Sequence, residues 1–365
     1  MTFTIAQFTF GMGLAGQERV VVDLAKKFRE LGHRSIVCTT LFGGELEGEL
    51  EKCDITFQCL KLRRSYDPRA IMPLVRYLKV KGVDVVITHG SSGCLIPRLA
   101  AILANVPVII HVEHNVSDSK KLHNILVERW LAKFTDTIVC ISKSAGTSLL
   151  RYVKIKSNKV VTIPNGLNTE RFLSLTKNAT INTNGPKRVG IVGRFNEQKG
   201  HIYFVEAAAR IVETFQNVEF IFVGDGTLRS MIEQRINDKG LSSYSHFLGL
   251  RNDVGELLQS FDVFVLASLW EGMPISLLEA QYFGVACVVT NVGGNPEVVS
   301  DGYNGLLVEP GDPDALASAI LKLLINDDLR KDFGMHGQQV FARRFGIDSM
   351  ANAYLRVISK KFASI

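Results

Sequence analysis

The chain has 365 residues, of which 46% are hydrophobic and 21% charged, and its formal net charge is +6 at pH 7. This composition is that of a globular protein with a large core, and the length predicts two domains because single cores seldom grow beyond about 300 residues. The first residues lack a basic start followed by an apolar run, and no stretch approaches the ~20 apolar residues of a membrane span. We therefore expect a cytoplasmic protein with no signal peptide and no spanning helix.

Strand-like and helix-like patterns alternate along the first half of the chain, which predicts a parallel sheet with helices on both faces. The predicted strands are 4–8, 35–39, 55–60, 83–88, 108–112, 137–141 and 160–163. The predicted helices are 20–31, 68–81, 95–104 and 120–134. A polar, asparagine-rich stretch, 168–187, interrupts the pattern and predicts a linker.

A second series of the same kind follows the linker. Its predicted strands are 189–192, 218–223, 246–248, 263–267, 286–290 and 305–308. Its predicted helices are 202–215, 228–239, 254–260, 313–326, 329–344 and 349–362. The fold class is therefore α/β with two Rossmann-like domains, and we expect a ligand in a deep cleft between them. The two predicted domains are 1–166 and 188–345. A linker is predicted at 167–187 and a last helix at 346–365.

The most informative stretch follows the predicted strand 263–267 and reads Ser-Leu-Trp-Glu-Gly-Met-Pro-Ile-Ser-Leu-Leu-Glu. Pro274 stands in the first turn of a predicted helix, where proline is tolerated. Unpaired N–H groups at a helix start attract phosphate or sugar oxygens. Glu271 lies in the turn and Glu279 on the helix, so the two carboxylates can hold two parts of one ligand. A buried strand followed by a helix with solvated acids is the alternative.

Further chemical groups follow other predicted strands. Arg194 and Lys199 come after the first strand of the second domain, and together they suit a diphosphate. Glycines at 224 and 249, with Leu250, end the next two strands and predict close backbone approach to a nucleotide. His114 follows strand 108–112 and is predicted to hold a substrate hydroxyl. The alternatives are ordinary loop charges for Arg194 and Lys199, plain turns for the glycines, and a structural imidazole for His114.

Several reaction classes find no support in the sequence. The glycines around 11–16 are followed near position 36 by Ile36 rather than an acid, which disfavours a dinucleotide dehydrogenase. There is no Gly-x-Ser-x-Gly elbow, and the His-Val-Glu-His order at 111–114 is not a zinc motif, so we expect neither a hydrolase triad nor a metal. The six cysteines form no Cys-x-x-Cys pair and are expected to be buried thiols.

The positive charge is concentrated in residues 1–166, which contain 23 Lys and Arg against 14 Asp and Glu. Such charge attracts anionic lipid or phosphate-bearing substrates, and a merely solvated basic surface is the alternative. Nucleic acid is not expected because aromatic residues are not interleaved with the charges. The clusters are Lys61, Arg63, Arg64, Arg69, Arg76, Lys79 and Lys81; Lys120, Lys121, Arg129 and Lys133; and Lys154, Lys156 and Lys159.

Taken together, these motifs resemble glycosyltransferase family 4, whose members are retaining enzymes of the GT-B fold. The similar segments lie at 15–18, 163–166, 192–200, 223–226, 247–249, 271–280, 293–294 and 304–306, in family order across almost the whole chain. The two glutamates separated by seven residues are the most specific of them. Two positions depart from the family pattern: Ala15 replaces the first of two glycines, and Asn168 replaces an acid.

The resemblance implies a nucleotide-diphospho-sugar donor bound mainly by the second domain. It implies diphosphate contacts from Arg194 and Lys199, ribose contacts from Glu279, and donor-sugar contacts from Glu271. Gly16 would approach the phosphate from the first domain, and His114 would lie near the sugar and acceptor. The last helix, 349–362, would cross back to pack on the first domain. The catalytic set is Glu271, His114, Arg194 and Lys199, and the substrate-binding set is Gly16, Gly193, Gly224, Gly249, Leu250, Gly272, Met273, Pro274, Ile275 and Glu279.

The predicted function is metal-independent, retaining hexosyl transfer to a saccharide or lipid-linked acceptor, in cell-surface polysaccharide or glycolipid synthesis. The nucleotide-sugar is a substrate, UDP is favoured over GDP, and no cofactor is expected. Predicted partners are the donor, the acceptor and an anionic membrane surface on the inner face of the membrane. The alternatives are a nucleotide-sugar epimerase, a sugar phosphorylase of the same fold, or a non-catalytic nucleotide-sugar sensor.

Overall fold

The protein, analysed as a computed structural model, is described over residues 1–64, 66–90, 94–115, 122–173, 175 and 185–363. It divides into two compact units. The first comprises Met1–Asn168 with Gly346–Ile365, and the second Thr169–Phe345. Each unit is built on one parallel sheet with helices packed against it, which agrees with the α/β class predicted from the alternating pattern.

The first unit contains a seven-stranded sheet in the order β3-β2-β1-β4-β5-β6-β7. Its strands are β1 Thr4–Thr9, β2 Arg34–Thr39, β3 Thr56–Cys59, β4 Val85–His89, β5 Val108–Glu113, β6 Thr137–Cys140 and β7 Val160–Thr162. Its helices are α1 Gly16–Glu30, α2 Glu47–Lys52, α3 Ile71–Val80, α4 Leu95–Leu103, α5 Leu122–Leu131 and α6 Lys143–Tyr152, with the C-terminal helix Ile347–Phe362. The central strands β4 and β5 are buried throughout, which explains their continuous apolar runs.

The C-terminal helix belongs to the first unit because it packs against α1. Lys27 Nζ is 2.6 Å from Asp348 Oδ1, and the rings of Phe28 and Tyr354 meet edge to face at 6.4 Å. The chain segment before the second unit also contacts this helix. A Cβ on Gly166 would lie 2.8 Å from the carbonyl oxygen of Gly346, so this glycine permits close packing.

The second unit contains a six-stranded sheet in the order β10-β9-β8-β11-β12-β13. Its strands are β8 Lys187–Val192, β9 Val218–Val223, β10 Ser245–Gly249, β11 Val263–Leu266, β12 Ala286–Thr290 and β13 Leu306–Val308. Its helices are α7 His201–Thr214, α8 Arg229–Asp238, α9 Val254–Gln259, α10 Ile275–Phe283, α11 Asn295–Val298, α12 Pro313–Leu324 and α13 Asp327–Arg344, so the C-terminal helix becomes α14. One apolar cluster fills the space between this sheet and α7, α8 and α12.

The structure differs from the predicted linker at 167–187. The second unit begins at Thr169, and a short 3-10 helix, Glu170–Phe172, places Phe172 against the rings of Tyr282 and Phe283 at 5.5 and 4.9 Å. One buried aromatic residue anchors this end, although the surrounding sequence is polar. The asparagine-rich part, 176–184, and residues 120–121 of the predicted helix 120–134 lie outside the described residues.

The helix predictions also need correction, and two short helices, α2 and α11, were not predicted. The predicted helix 68–81 is divided into a 3-10 turn, Pro68–Ala70, and α3. Helix α5 ends at Leu131, because Lys159 Nζ donates to the carbonyls of Ala132 and Thr135 at 2.8 Å and thereby satisfies backbone groups that follow the helix. The sequence analysis missed α6, although Ser142 caps it by accepting from the Ala145 N–H at 3.1 Å. Within the described residues, no helix is long and apolar enough to cross a membrane.

Candidate active site

Glu271 is the centre of a compact polar cluster in the second unit. Its Oε1 atom accepts from Lys199 Nζ at 2.6 Å and from Ser268 Oγ at 2.7 Å. The Gln198 amide lies beside it and donates to the carbonyl oxygen of Trp270 at 3.0 Å. Glu271 is 4% exposed, so this carboxylate is buried with a cationic partner and a hydroxyl donor. The cluster forms because the loops after β8 and β11 meet at the carboxyl edge of the sheet, where α/β domains bind ligands.

Glycines allow three loops to approach one another at this edge. A Cβ on Gly200 would lie 2.0 Å from the Ala267 carbonyl oxygen, and one on Gly293 would lie 1.8 Å from that of Glu271. Both glycines have positive φ, which is a second reason for their residue type. Thr290 at the end of β12 donates to the Ser268 carbonyl at 2.7 Å. The backbone that carries Glu271 is therefore held from both neighbouring strands.

The predicted diphosphate residues occupy different surroundings. Arg194 is exposed and has no ion-pair partner within the part of the chain that the structure describes, whereas Lys199 is paired with Glu271. The Lys199 stem runs past Gly193, where a Cβ would lie 3.3 Å from its Cδ atom. Gly193 thus leaves room for the lysine. The structure therefore brings Lys199 and Glu271 together and leaves Arg194 available to solvent.

The remaining predicted nucleotide residues line the same edge. The Gly224 N–H donates to the Gly249 carbonyl at 2.8 Å, which joins the ends of β9 and β10. Gly224 has a φ of +126°, and a Cβ there would lie 2.1 Å from the Gly193 carbonyl oxygen, so only glycine fits. Leu250 follows with 67% of its surface exposed. This edge consequently presents backbone groups and one uncovered apolar side chain.

Glu279 lies on α10, as predicted, and is 8% exposed. Its Oε1 atom accepts from Arg171 Nη2 at 2.6 Å, and the Arg171 guanidinium stacks on the Phe172 ring at 4.5 Å. The partner arginine comes from the 3-10 helix within the predicted linker, so its role was not visible in the sequence. Glu279, the predicted ribose-binding residue, is therefore oriented by the cationic side chain of Arg171.

The helix start after Glu271 differs slightly from the prediction. Pro274 has an extended backbone with ψ at 129° and immediately precedes α10, so it is the N-cap residue rather than a first-turn residue. Gly272, Met273, Pro274 and Ile275 are all buried. The first N–H groups of α10 have no acceptor within the helix, and they begin at Ile275, four residues after Glu271.

In the first unit, His114 follows β5 and belongs to a chain of hydrogen bonds. Its Nε2 atom lies 3.1 Å from Nδ1 of His89, and Nε2 of His89 lies 3.0 Å from Oε1 of Gln7. Gln7 and His89 are fully buried, and His114 is 7% exposed. Burial lowers the pKa of His114 to about 4. Burial and the neighbouring imidazoles also hold the pKa of His89 well below its ordinary value.

Gly16 is the first residue of α1 and is exposed, as an anion site at a helix start requires. The preceding Ala15 has φ −95° and ψ 161°, an extended conformation open to any residue. The departure from the family pattern at Ala15 therefore causes no backbone strain. At the second departure, the backbone N–H of Asn168 donates to the Asp23 carboxylate at 3.3 Å, a bond that an acid at this position could also make.

Sequence reasoning missed the residues that support the predicted ones: Ser268, Gln198, Arg171, His89 and Gln7. Ser268 stands three positions before Glu271, which is the one signal that a careful search of the sequence would have found. The others come from distant segments and become neighbours only in the fold. Among the described residues, no group of three His, Cys, Asp or Glu side chains is arranged to hold a metal ion.

Residues 14–171 match the model of "Glycosyltransferase Family 4", and residues 176–340 match that of "Glycosyl transferases group 1". The Escherichia coli UDP-Gal:alpha-D-GlcNAc-diphosphoundecaprenol alpha-1,3-galactosyltransferase is 34% identical over 74% of this chain and 73% of its own length. The uncharacterized glycosyltransferase MJ1178 of Methanocaldococcus jannaschii is 30% identical over 73% of each chain.

Solved structures share the fold at lower identity. HepE from Anabaena in complex with UDP-glucose has a TM-score of 0.86 and 20% identity over the whole of both chains. A glycosyltransferase from Rickettsia africae has a TM-score of 0.84 and 23% identity over 99% of both chains. The two parallel-sheet units are thus those of GT-B glycosyltransferases.

Proposed function

The chain belongs to glycosyltransferase family 4, and we propose that it transfers a hexose from a UDP-sugar, with retention, to a saccharide linked to a lipid diphosphate. The single observation that supports this most strongly is the Glu271–Lys199–Ser268 cluster beside the N-terminus of α10. In this cluster a buried carboxylate, which we assign to the sugar, lies next to cationic and N–H groups that would suit a departing diphosphate.

In the proposed reaction, the bond between the sugar C1 and the diphosphate oxygen breaks. A bond from C1 to the acceptor oxygen forms on the same face, and the acceptor proton passes to the departing diphosphate. Lys199, Arg194 and the first N–H groups of α10 stabilise the charge that develops on the leaving group. Glu271 faces the sugar, where positive character develops, and Glu279 holds the ribose. We propose that no metal or other cofactor takes part.

The donor and acceptor classes are supported by the names of the relatives. The E. coli relative is named for UDP-Gal and for a diphosphoundecaprenol-linked GlcNAc acceptor, and HepE was solved with UDP-glucose. Polysaccharide or glycolipid assembly is the process that uses such acceptors. An epimerase or a phosphorylase of the same fold would use other co-substrates, and this difference makes the alternatives testable.

Donor choice is tested by thermal unfolding with UDP-galactose, UDP-glucose and GDP-mannose. A ligand at 100 times its Kd stabilises the native state by about 2.7 kcal/mol, so a UDP-sugar is expected to raise Tm and GDP-mannose to leave it unchanged. The reverse pattern contradicts the proposed base.

Transfer is tested with a short-chain lipid-diphosphate-linked GlcNAc, with UDP release and product NMR as readouts. We expect UDP only when acceptor is present, no dependence on inorganic phosphate, and an α linkage from an α donor. Activity abolished by EDTA and restored by Mg²⁺ would contradict metal independence. Interconversion of UDP-sugars without transfer would favour an epimerase.

We also propose that the first unit docks on an anionic membrane surface through α5. Apolar residues four positions apart form an exposed stripe along this helix and just beyond it: Leu122 at 71% exposure, Leu126 at 53%, Trp130 at 47% and Phe134 at 47%. Its opposite face is anchored because Arg98 Nη1 donates to both carboxylate oxygens of Glu128 at 2.8 Å. The stripe is therefore fixed in an outward position.

The charge around this stripe complements anionic lipid. Lys133, Lys154 and Lys156 are exposed, and the Arg129 Nε–H donates to the Val153 carbonyl at 2.8 Å, which brings the 154–156 loop beside α5. Lysines around exposed leucine and tryptophan side chains are the pattern of an interfacial helix. A lipid-linked acceptor would be reached from such a surface.

The membrane proposal is tested by co-sedimentation with phosphatidylglycerol and phosphatidylcholine vesicles. Binding to the anionic vesicles is expected, with loss at high salt. Leu126→Asp is expected to weaken it about tenfold, or about 1.4 kcal/mol, while Met231→Asp, at a similar exposure in the second unit, leaves it unchanged. Equal binding to both lipids, or equal effects of the two variants, would refute the assignment.

A further inference from the structure

The buried chain Gln7–His89–His114 determines which nitrogen of His114 carries a proton. The Nε2 atom of Gln7 lies 3.3 Å from the Val21 carbonyl oxygen. A carbonyl can only accept, so the amide nitrogen must face Val21 and the amide oxygen must face His89. This contact fixes the orientation of the Gln7 side chain.

The proton positions of the two imidazoles follow from that orientation. Since Oε1 of Gln7 accepts, Nε2 of His89 must carry hydrogen, and in a neutral ring its Nδ1 atom is then an acceptor. Nδ1 of His89 faces Nε2 of His114, which must therefore carry the second hydrogen. Both rings are neutral at pH 7 because burial disfavours their charged forms.

We propose that Gln7 and His89 are positioning residues that hold His114 in its Nε2–H form, so that His114 meets the substrate as an acceptor through Nδ1. Among the described residues, Nδ1 of His114 has no hydrogen-bond partner. Of the three residues Gln7, His89 and His114, only His114 has any exposed surface. A neutral sugar hydroxyl can donate to this nitrogen, whereas a phosphate or carboxylate oxygen is repelled by its lone pair. The inference rests on the proposed sugar transfer only for the identity of that substrate.

The placement of Gln7, His89 and His114 on the sheet holds this hydrogen-bonded series, called the relay, in one arrangement. Gln7 lies within β1, His89 is the last residue of β4, and His114 follows β5, so three adjacent strands carry them. Each strand is hydrogen-bonded to the next, through the pairs Gln7–Ile87 and His89–Val112. The Cys94 thiol also donates to the His89 carbonyl at 3.2 Å. Because Gln7 and His89 are fully buried, a His89 ring that flipped would leave a buried polar atom without its partner.

The direct test is a two-bond ¹H–¹⁵N spectrum of the full chain labelled with ¹⁵N-histidine, recorded at pH 7.5 without substrate. His114 and His89 are expected as Nε2–H tautomers, with assignment from the spectra of His114→Gln and His89→Gln. An Nδ1–H signal for His114 overturns the proposal. Because this spectrum requires no turnover, it remains informative even if sugar transfer is not the function.

The second test is Gln7→Met, which keeps the size of the side chain and removes the acceptor. His89 is then free to reverse, so the Nδ1–H form of His114 becomes populated and kcat/KM for transfer falls about fivefold. Gln58→Met, on the exposed side of β3 in the same sheet, is the control and is expected to change neither readout. An unchanged His114 tautomer in folded Gln7→Met overturns the relay. If Gln7→Met does not fold, the spectrum of the parent protein still decides.

Discussion

The carboxyl edges of the two sheets carry different chemistry although both units are parallel α/β structures. The edge of the six-stranded sheet is ionic, with Lys199 paired to Glu271 and Glu279 paired to Arg171. At the edge of the seven-stranded sheet, His89 and His114 are uncharged and linked to each other, because burial suppresses their protonation. We propose that the ionic edge meets the diphosphate and that this neutral imidazole pair meets hydroxyl groups, so that one architecture serves two kinds of recognition.

The largest expected effect tests the ionic edge. Arg194→Ala is expected to remove about 2–4 kcal/mol of transition-state stabilisation, a 30- to 1000-fold loss of turnover, if Arg194 meets the leaving diphosphate. Arg188→Ala is the matched control, since Arg188 lies near the start of β8, the strand that precedes Arg194, and pairs with Glu219 at the surface. Steady-state rates check both variants. If folded Arg194→Ala turned over within threefold of the parent protein, the proposal that Arg194 contacts the leaving diphosphate would be wrong.

The next effect separates the two glutamates of the ionic edge. Glu271→Gln is expected to lower kcat about 100-fold, since its contact strengthens as charge develops on the sugar. Glu279→Gln is expected to raise KM for the donor about tenfold with kcat nearly unchanged, because a ribose contact is similar in ground and transition states. Donor titrations and steady-state kinetics on both variants provide the measurement. If Glu279→Gln lowered kcat and Glu271→Gln raised only KM, the two proposed roles would be exchanged. If neither variant changed either parameter, the stretch from Ser268 to Glu279 would be structural.

A third prediction tests the neutral imidazole pair through pH. The pKa of His114 is about 4 in the folded chain against an ordinary value near 6.5, so the unfolded chain takes up the proton first. Its contribution to stability is complete above pH 6.5 and is lost as the pH falls towards 4. The free energy of unfolding is expected to lose about 2 kcal/mol between pH 7 and 5 from this group.

Urea unfolding at several pH values measures that loss, and His114→Gln is expected to flatten the profile by the same amount. His123→Gln, at an exposed position of α5, is the control and is expected to leave the slope unchanged. His89 and His201 also have lowered pKa values and add slope of the same sign, so only the difference between variants is interpreted. An identical slope in His114→Gln would contradict a neutral His114.

The smallest effect concerns Arg171. Its ion pair with Glu279 is partly exposed, so Arg171→Ala is expected to cost about 1 kcal/mol and to raise donor KM about fivefold without lowering kcat. Arg171→Lys is expected to restore part of the loss, because it keeps the charge but not the fork. A fall in kcat alone would show that Arg171 acts on the chemical step instead.

The sequence analysis located the chemical groups with useful accuracy because they belong to local signals. Glycines, apolar runs and a proline beside Glu271 mark the ends of strands, and strand ends meet at one edge in any parallel sheet. The fold class and family predicted from these signals are confirmed by the two parallel sheets and by the comparisons. The roles of the individual residues remain predictions.

What the sequence by itself determined is therefore the set of local features: two α/β series, the strand ends and the glutamate pair. Apart from Ser268, which stands three positions before Glu271, the partners of those residues come from distant segments, so only the tertiary structure decided them. Glu279 meets Arg171 from 108 positions away, and His89 meets Gln7 from 82. The tautomer of His114 is the clearest example. It depends on a hydrogen-bond acceptor on another strand, and a periodic pattern within one strand contains no information about which atoms of distant side chains will face each other.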